Sequence, residues 1–190
     1  MVNNLIYLTS DLHFGHNREF VYKPRGFDNI QDHDAAIIQR WNSIVTDEDE
    51  VYILGDLMLN NNENGIKCLE QLKGHKCFVK GNHDTDTRVA LYMDEQGADI
   101  AFLGDATTLK YKGYHFYLSH YPTLTGNLEK ESLKQMTLNL YGHTHQKTNF
   151  YEDRPYMYHV GVDSHNCYPV SIDQIIQDMN DKVKECINML

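Results

Sequence analysis

Residues 136–147 read MTLNLYGHTHQK: a β-rich run, a glycine, then two histidines separated by one threonine. Neutral imidazole is the commonest protein metal ligand, so two of them at a strand end raise the question of a metal. Other runs share the format. NLIYLTS (4–10) leads into Asp11 and His13, and EVYILGD (50–56) ends in Gly55 and Asp56. HKCFVKGNHD (75–84) carries Gly81, Asn82, His83 and Asp84, and YHFYLSHYP (114–122) holds Ser119 and His120. Each apolar run has the length of a buried strand. After each of the first three runs in chain order lies a segment of helical period. Ile37, Trp41 and Ile44 share a face around residues 32–46; ENGIKCLEQLKG (63–74) reads as a short helix closed by Gly74; TRVALYMDEQG (87–97) reads as another, stopped by Gly97.

The period then changes. DIAFLG, TTLKYKG, YHFYLSHYP, MTLNLYGH, KTNFYE and PYMYHVGV are short strands at close spacing, interrupted by one helix at about 127–135. The last segment opens with Ser171 and carries Gln174 three residues on, a capping-box pattern. Ile172, Ile175, Ile176, Met179 and Val183 then form an apolar stripe. A β-α-β-α-β-α half followed by a strand-rich half predicts one α/β domain over residues 1–190, with two sheets and a helical layer on each outside. The polar motifs fall at strand ends, where α/β folds build their sites.

The 190 residues suit one domain with a sizeable core, and 41% hydrophobic with 23% charged residues is a soluble globular composition. The formal net charge is −10, from 17 basic and 27 acidic residues. No basic stripe of the kind duplex binders carry is present, which argues against extended contact with DNA or RNA. A small anionic substrate stays open where bound cations offset the charge. Cys68, Cys77, Cys167 and Cys186 form no C-x-x-C pair, which argues against a zinc ribbon or redox motif and suits reduced thiols in a cytoplasmic protein. MVNNLIYLTSDLH lacks the basic n-region of a secretory signal, and no run approaches the roughly 18 apolar residues of a membrane span. A tyrosine-rich sheet edge could serve a homodimer.

In an extended strand, residues two apart point to one side. Asp11 and His13 would then reach one ion together, and His143 with His145 would reach one ion or two neighbouring ones. Carboxylate, imidazole and amide form a mixed O/N set, which suits Mn, Fe, Zn or Co better than calcium or a thiolate-rich structural zinc. The candidates Asp11, His13, Asp56, Asn82, His120, His143 and His145 are too many for one ion and about right for two that share a ligand. A dinuclear centre activates water, clamps a phosphoryl group and stabilises the leaving oxygen of an in-line displacement.

Taken in order, D-x-H, G-D, G-N-H-D, a lone His and G-H-x-H, from residue 11 to residue 145, resemble the signature of the calcineurin-like metallophosphoesterases. The resemblance implies that Asp11, His13 and His145 hold one metal, that Asn82, His120 and His143 hold a second, and that Asp56 bridges them. It implies that His83 faces the substrate, protonating the leaving alkoxide or stabilising the phosphoryl oxygens, with Asp84 orienting it. It further implies a four-layer α/β/β/α sandwich with two mixed sheets. Two divalent cations would serve it, Mn first, with Fe, Zn, Ni or Co as alternatives. A metal-bound hydroxide would attack a small phosphate ester.

Within that family the protein Ser/Thr phosphatases continue G-D with a second Asp; here GDLMLNNNENG has Leu59 in its place, which argues against that branch. SDLHFGHN and HVGVDSHNCYPVS (159–171) look more like small bacterial or phage-type members. The expected activity is a phosphodiesterase on small or nucleotide-like substrates. A phosphomonoesterase is the near alternative, and a non-catalytic scaffold on the same fold the distant one. A nuclease on ends or single strands would need a basic or aromatic groove.

Outside the ordered set, His16 either faces substrate or packs its loop. Arg25 in KPRGF is a candidate phosphate clamp, since guanidinium matches phosphate oxygens bidentately, set against a solvated surface arginine. Asp163 and His165 either line the pocket or stabilise a turn, the turn being the preferred reading, and Tyr121 could edge the site. His33, His75, His115 and His159 have no functional argument.

Overall fold

β1, Ile6–Thr9, runs parallel to β2, Glu50–Leu54, which runs parallel to β3, His75–Val79, and this to β4, Ile100–Phe102. These strands belong to a computed structural model that describes residues 4–94 and 99–188. β5 (Ala106–Tyr111) and β6 (Tyr114–Ser119) form an antiparallel hairpin, and β7 (Thr137–Tyr141) and β8 (Met157–His159) add to it in parallel. The short β9, Val170–Ser171, pairs antiparallel with β1 and makes that sheet mixed as well. The orders are β4-β3-β2-β1-β9 and β5-β6-β7-β8, so the architecture is α/β with two mixed sheets.

Strand alternation sorts the core in two. Tyr7, Val51, Ile53 and Phe78 face α2 (Ile30–Ile44), α3 (Asn62–Leu69) and α4 (Asp86–Asp94), burying Ile37, Trp41, Leu69, Val89 and Tyr92. The opposite face sends Leu8, Tyr52, Leu54 and Val79 against Phe116, Leu118, Leu138, Leu140 and Tyr158 of the second sheet. Ile172, Ile175 and Met179 of α5 (Ile172–Asn188) join this second core, so the predicted apolar stripe is the buried face of that helix. Ser171 Oγ accepts the Gln174 N–H at 3.2 Å, half of the expected capping box; the Gln174 amide donates instead to Asp178.

The structure departs from the reading of the sequence in four segments. Ile44, expected on the buried face of α2, is exposed at its end. The second helix ends at Leu69, and Gly74 instead makes the turn into β3, at φ +83° with an added Cβ 2.8 Å from the Asp49 carbonyl. Around 127–135 there is only a 3-10 turn, Leu133–Gln135. KTNFYE is no strand: Phe150 makes one bridge to Tyr158, and the chain then enters a 3-10 turn at Tyr151–Asp153. Ile44 is exposed as the last residue of the 15-residue α2; in the other three cases too few apolar residues sit at one period to fix a longer element. A four-residue helix, α1 (Glu19–Tyr22), went unread for the same reason. Among the described residues no helix is long and apolar enough to cross a membrane.

Candidate metal centre

Three parallel strand ends of one sheet and two of the other bring the motif residues together. After β1 the chain leaves Ser10 and carries Asp11 and His13 across the end of β2, where Asp11 N donates to Gly55 O and His13 N to Asp56 O, both at 3.0 Å. Gly142 N donates to His120 O at 3.0 Å, tying the ends of β6 and β7. The strand ends crowd so tightly that only glycine fits at the joints. A Cβ on Gly81 would stand 2.3 Å from Asp56 Oδ1, and one on Gly55 2.5 Å from His120 Nδ1.

The candidate donors form two sets. In the first, His13 Nε2 lies 3.3 Å from His145 Nε2 and 3.7 Å from Asp56 Oδ2, and His145 Nε2 lies 4.0 Å from Asp11 Oδ1. In the second, Asn82 Oδ1 lies 2.8 Å from both His120 Nε2 and His143 Nδ1, these two nitrogens are 3.2 Å apart, and His120 Nε2 is 3.6 Å from Asp56 Oδ2. Donors bound at about 2.1 Å to one cation stand about 3–4 Å from each other, so both sets have the spacing of a coordination shell. Asp11, His13 and His145, and likewise Asp11, Asp56 and His120, each place donor atoms within 4.8 Å of one another. Asp56 Oδ2 belongs to both sets; its Oδ1 is occupied by the His83 N–H at 2.9 Å. The seven candidates are therefore all brought together.

Surrounding groups aim the lone pairs inward. His120 Nδ1 meets Leu54 O at 2.8 Å, which places the proton there and leaves Nε2 bare toward Asn82. His145 Nδ1 meets Asp163 Oδ2 at 2.8 Å. His13 Nδ1 meets His16 Nδ1 at 3.3 Å, so the buried His16 both steadies His13 and lines the cavity above it. Asp11 Oδ2 accepts from Ser10 Oγ at 2.7 Å and from His143 N at 2.9 Å, directing Oδ1 to the cluster.

Burial and neighbouring charge keep three of the imidazoles short of protons and leave His145 and Asp56 holding theirs more readily. Burial, with the Arg25 guanidinium and neighbouring imidazoles, lowers the His13 pKa well below its ordinary value. Burial and His83 bring His16 down to about 4, and burial with His120 lowers His143. For His145, burial is outweighed by the hydrogen bond to Asp163 and the pKa rises. A proton held on Nδ1 makes Nε2 a stronger donor. Burial raises the pKa of the Asp56 carboxyl, and the His120 imidazole beside it offsets part of that rise.

Two expected site residues do something else. The Arg25 side chain, 1% exposed, is neither a free clamp nor a solvated arginine. It donates from Nε and Nη2 to Asp163 at 3.1 and 2.8 Å, from Nη2 to the Asp11 carbonyl at 3.0 Å, and it contacts His33 Nε2 at 2.8 Å. Asp84 does not orient the His83 ring. Its carboxylate accepts from Asp56 N at 2.6 Å, Gly81 N at 2.8 Å and Tyr92 OH at 2.9 Å, locking the backbone that carries Asp56 and Asn82. His83 itself, with its side chain 41% exposed, holds Nε2 4.0 Å from Asp56 Oδ2 at the cavity edge. Arg88 grips its carbonyl.

Of the two readings open to Asp163, the structure places it at the pocket: its carboxylate lines the cavity and pairs with His145 and Arg25, a role whose only sequence signal is its place in the tail motif. Burial would raise its pKa, but hydrogen bonds from His145 and Arg25 hold the carboxyl well below the usual range. Asp163→Asn weakens the pull on His145 Nδ1 and leaves Arg25 short of its counter-charge. The expected result is a 10- to 100-fold loss of divalent-metal affinity, roughly the effect of removing such supporting partners. Titration with Mn²⁺ followed by calorimetry checks it; unchanged affinity would remove Asp163 from the site.

Comparisons with known proteins identify the fold and the family. A protein of unknown function from Aquifex aeolicus has the same fold, with a TM-score of 0.69 at 23% identity over 92% of this chain and 99% of its own. An uncharacterised protein of Methanocaldococcus jannaschii is 32% identical over 183 residues, 90% of this chain and 89% of that protein. The gene 66 protein of Mycobacterium phage D29 is 28% identical over 198 residues, 93% and 96% of the two chains. The sequence pattern of the calcineurin-like phosphoesterase superfamily domain matches residues 5–164, nearly the whole span from β1 to the tail motif. Both donor sets fall inside that span, and the chain belongs to the calcineurin-like phosphoesterase superfamily.

Proposed function

We propose that this protein is a dinuclear metal-dependent phosphoesterase acting on small phosphodiesters. The observation that carries the reading is the pair of donor sets meeting at Asp56 Oδ2. Asp11, His13, His145 and Asp56 would hold one divalent cation, and Asp56, Asn82, His120 and His143 the other. Such cations supply Lewis-acid polarisation of phosphoryl oxygens and an acidified water. The chain's own residues do the rest. Asp84 and Arg88 fix the backbone of residues 81–84, so that His83 stands over the cavity mouth, placed to give a proton to the departing oxygen.

The preference for a diester comes from charge. A monoester dianion calls for a free guanidinium, and Arg25 is consumed by Asp163, His33 and the Asp11 carbonyl. Lys147 is the one Lys or Arg lining the cavity among the described residues, and its Nζ donates to the Pro24 carbonyl at 3.0 Å. A diester monoanion asks less of the site.

Chelator-stripped protein should bind about two Mn²⁺ per chain and, once reloaded, hydrolyse bis(p-nitrophenyl) phosphate faster than p-nitrophenyl phosphate. Turnover of the monoester alone would make it a phosphatase. No metal uptake and no turnover would sink the reading.

A further inference from the structure

Two exposed aromatic rings flank the candidate metal centre, one beside each donor set. Phe20 is 73% exposed, and its ring lies 5.5 Å from that of His16, which lies 5.3 Å from that of His13 in the first donor set. Tyr121 is 51% exposed, and its ring lies 4.7 Å from His143 and 5.2 Å from His120, both of the second set. Phe20 thus neighbours the first set through His16, and Tyr121 touches the second set directly. Both rings are presented from firm anchors. Val21 and Tyr22 are buried beneath Phe20, and the Tyr121 carbonyl accepts from Ser119 Oγ and Thr123 Oγ1 at 2.8 and 3.0 Å. The rings do not form one apolar patch, because the imidazole-lined centre separates them; that is the pattern of a ligand charged in the middle and flat at both ends.

We propose that Phe20 and Tyr121 are the two ring-binding subsites of a phosphodiester whose ester arms each carry a planar unsaturated group, a dinucleotide or diaryl ester in class. This rests on the phosphodiesterase reading above and narrows it. The phosphate sits over Asp56, and its two ester oxygens diverge toward the two donor sets. One arm lies against Phe20, Val21, Pro24 and Leu59, the apolar lining of the cavity of about 560 Å³ that also takes in Asp56, Asn82 and the donor histidines. The other lies on the open surface against Tyr121. Flat groups stack on either ring without regard to their hydrogen-bonding edges, so the site selects for two rings and not for a base sequence.

The test is calorimetric titration of Mn²⁺-loaded protein with diphenyl, methyl phenyl and dimethyl phosphate, none of which has a good leaving group. Each phenyl ring should tighten binding about fivefold or more. Phe20→Ala and Tyr121→Ala should each shrink the diphenyl-to-dimethyl affinity ratio by about that factor, and Phe20→Tyr should restore it. Equal affinities of diphenyl and dimethyl phosphate for the unaltered protein would overturn the proposal, as would alanine variants that keep the ratio. Hydrolysis of bis(p-nitrophenyl) phosphate by the same preparations separates the two readings. Turnover without ring preference defeats the subsites alone; ring preference without turnover supports them and defeats the phosphodiesterase.

Discussion

Asp56→Asn should lower kcat/KM by a factor of about a thousand or more and reduce bound metal from about two cations per chain to one or fewer. Asn has nearly the shape of Asp, so the His83 N–H keeps an acceptor where Oδ1 now takes it at 2.9 Å. What is lost is the charge on Oδ2, the one atom that both donor sets share. An amide oxygen holds a cation more weakly than a carboxylate and does not bridge two of them well. The fold should survive, because burial already raises the Asp56 pKa and removing a buried, under-compensated charge costs the apo protein little. Metal content by elemental analysis and kcat/KM on one preparation decide the matter. Full activity with two metals retained would remove Asp56 from the centre.

His83→Ala should lower kcat by about 10²- to 10⁴-fold while metal content stays the same. Its ring belongs to neither donor set and sits half out in solvent beside the cavity, so its removal leaves the shells intact. The size of the loss should follow the leaving group. A p-nitrophenolate departs without help, whereas an alkoxide needs a proton, so the variant should suffer far more on an ester with an alkyl leaving group. Equal losses on both would assign His83 to the phosphoryl oxygens instead. Loss of metal would make it a ligand.

Both variants concern residues that could be picked out before any fold was known, and the reason is chemical. Asp, Asn and His are the side chains that carry donor atoms, and their place after a β-rich run is visible in one dimension. The reason first given for their spacing was nevertheless mistaken. β1 ends at Thr9 and β7 at Tyr141, so Asp11, His13, His143 and His145 do not alternate along extended strands. They sit in loops, each with left-handed backbone, φ 58°, 51°, 68° and 48°. Arg25, Asp84 and Asp163 were illegible for a different cause. What a charged side chain does is set by its partners, and theirs come from distant segments: Asp163 is 138 residues from Arg25, and Asp84 is 28 from the backbone of Asp56. The two-residue β9 carried no period to detect, whereas the stripe of α5 was long enough to read.

The left-handed backbone at the donors constrains which sequences can build this centre at all. Asp56 shares it, at φ 56°, so five candidate ligands adopt a conformation that costs an ordinary residue roughly 1–3 kcal/mol. Asn, Asp and His are the non-glycine residues that enter this region most readily. The alphabet that ligation wants and the alphabet that the backbone tolerates therefore coincide at these positions. Glutamate or cysteine would offer a donor atom at a higher backbone cost, one that this chain bears at Glu152 (φ 46°) and Cys167 (φ 59°), so conformation biases these positions against drift toward a thiolate centre without forbidding it.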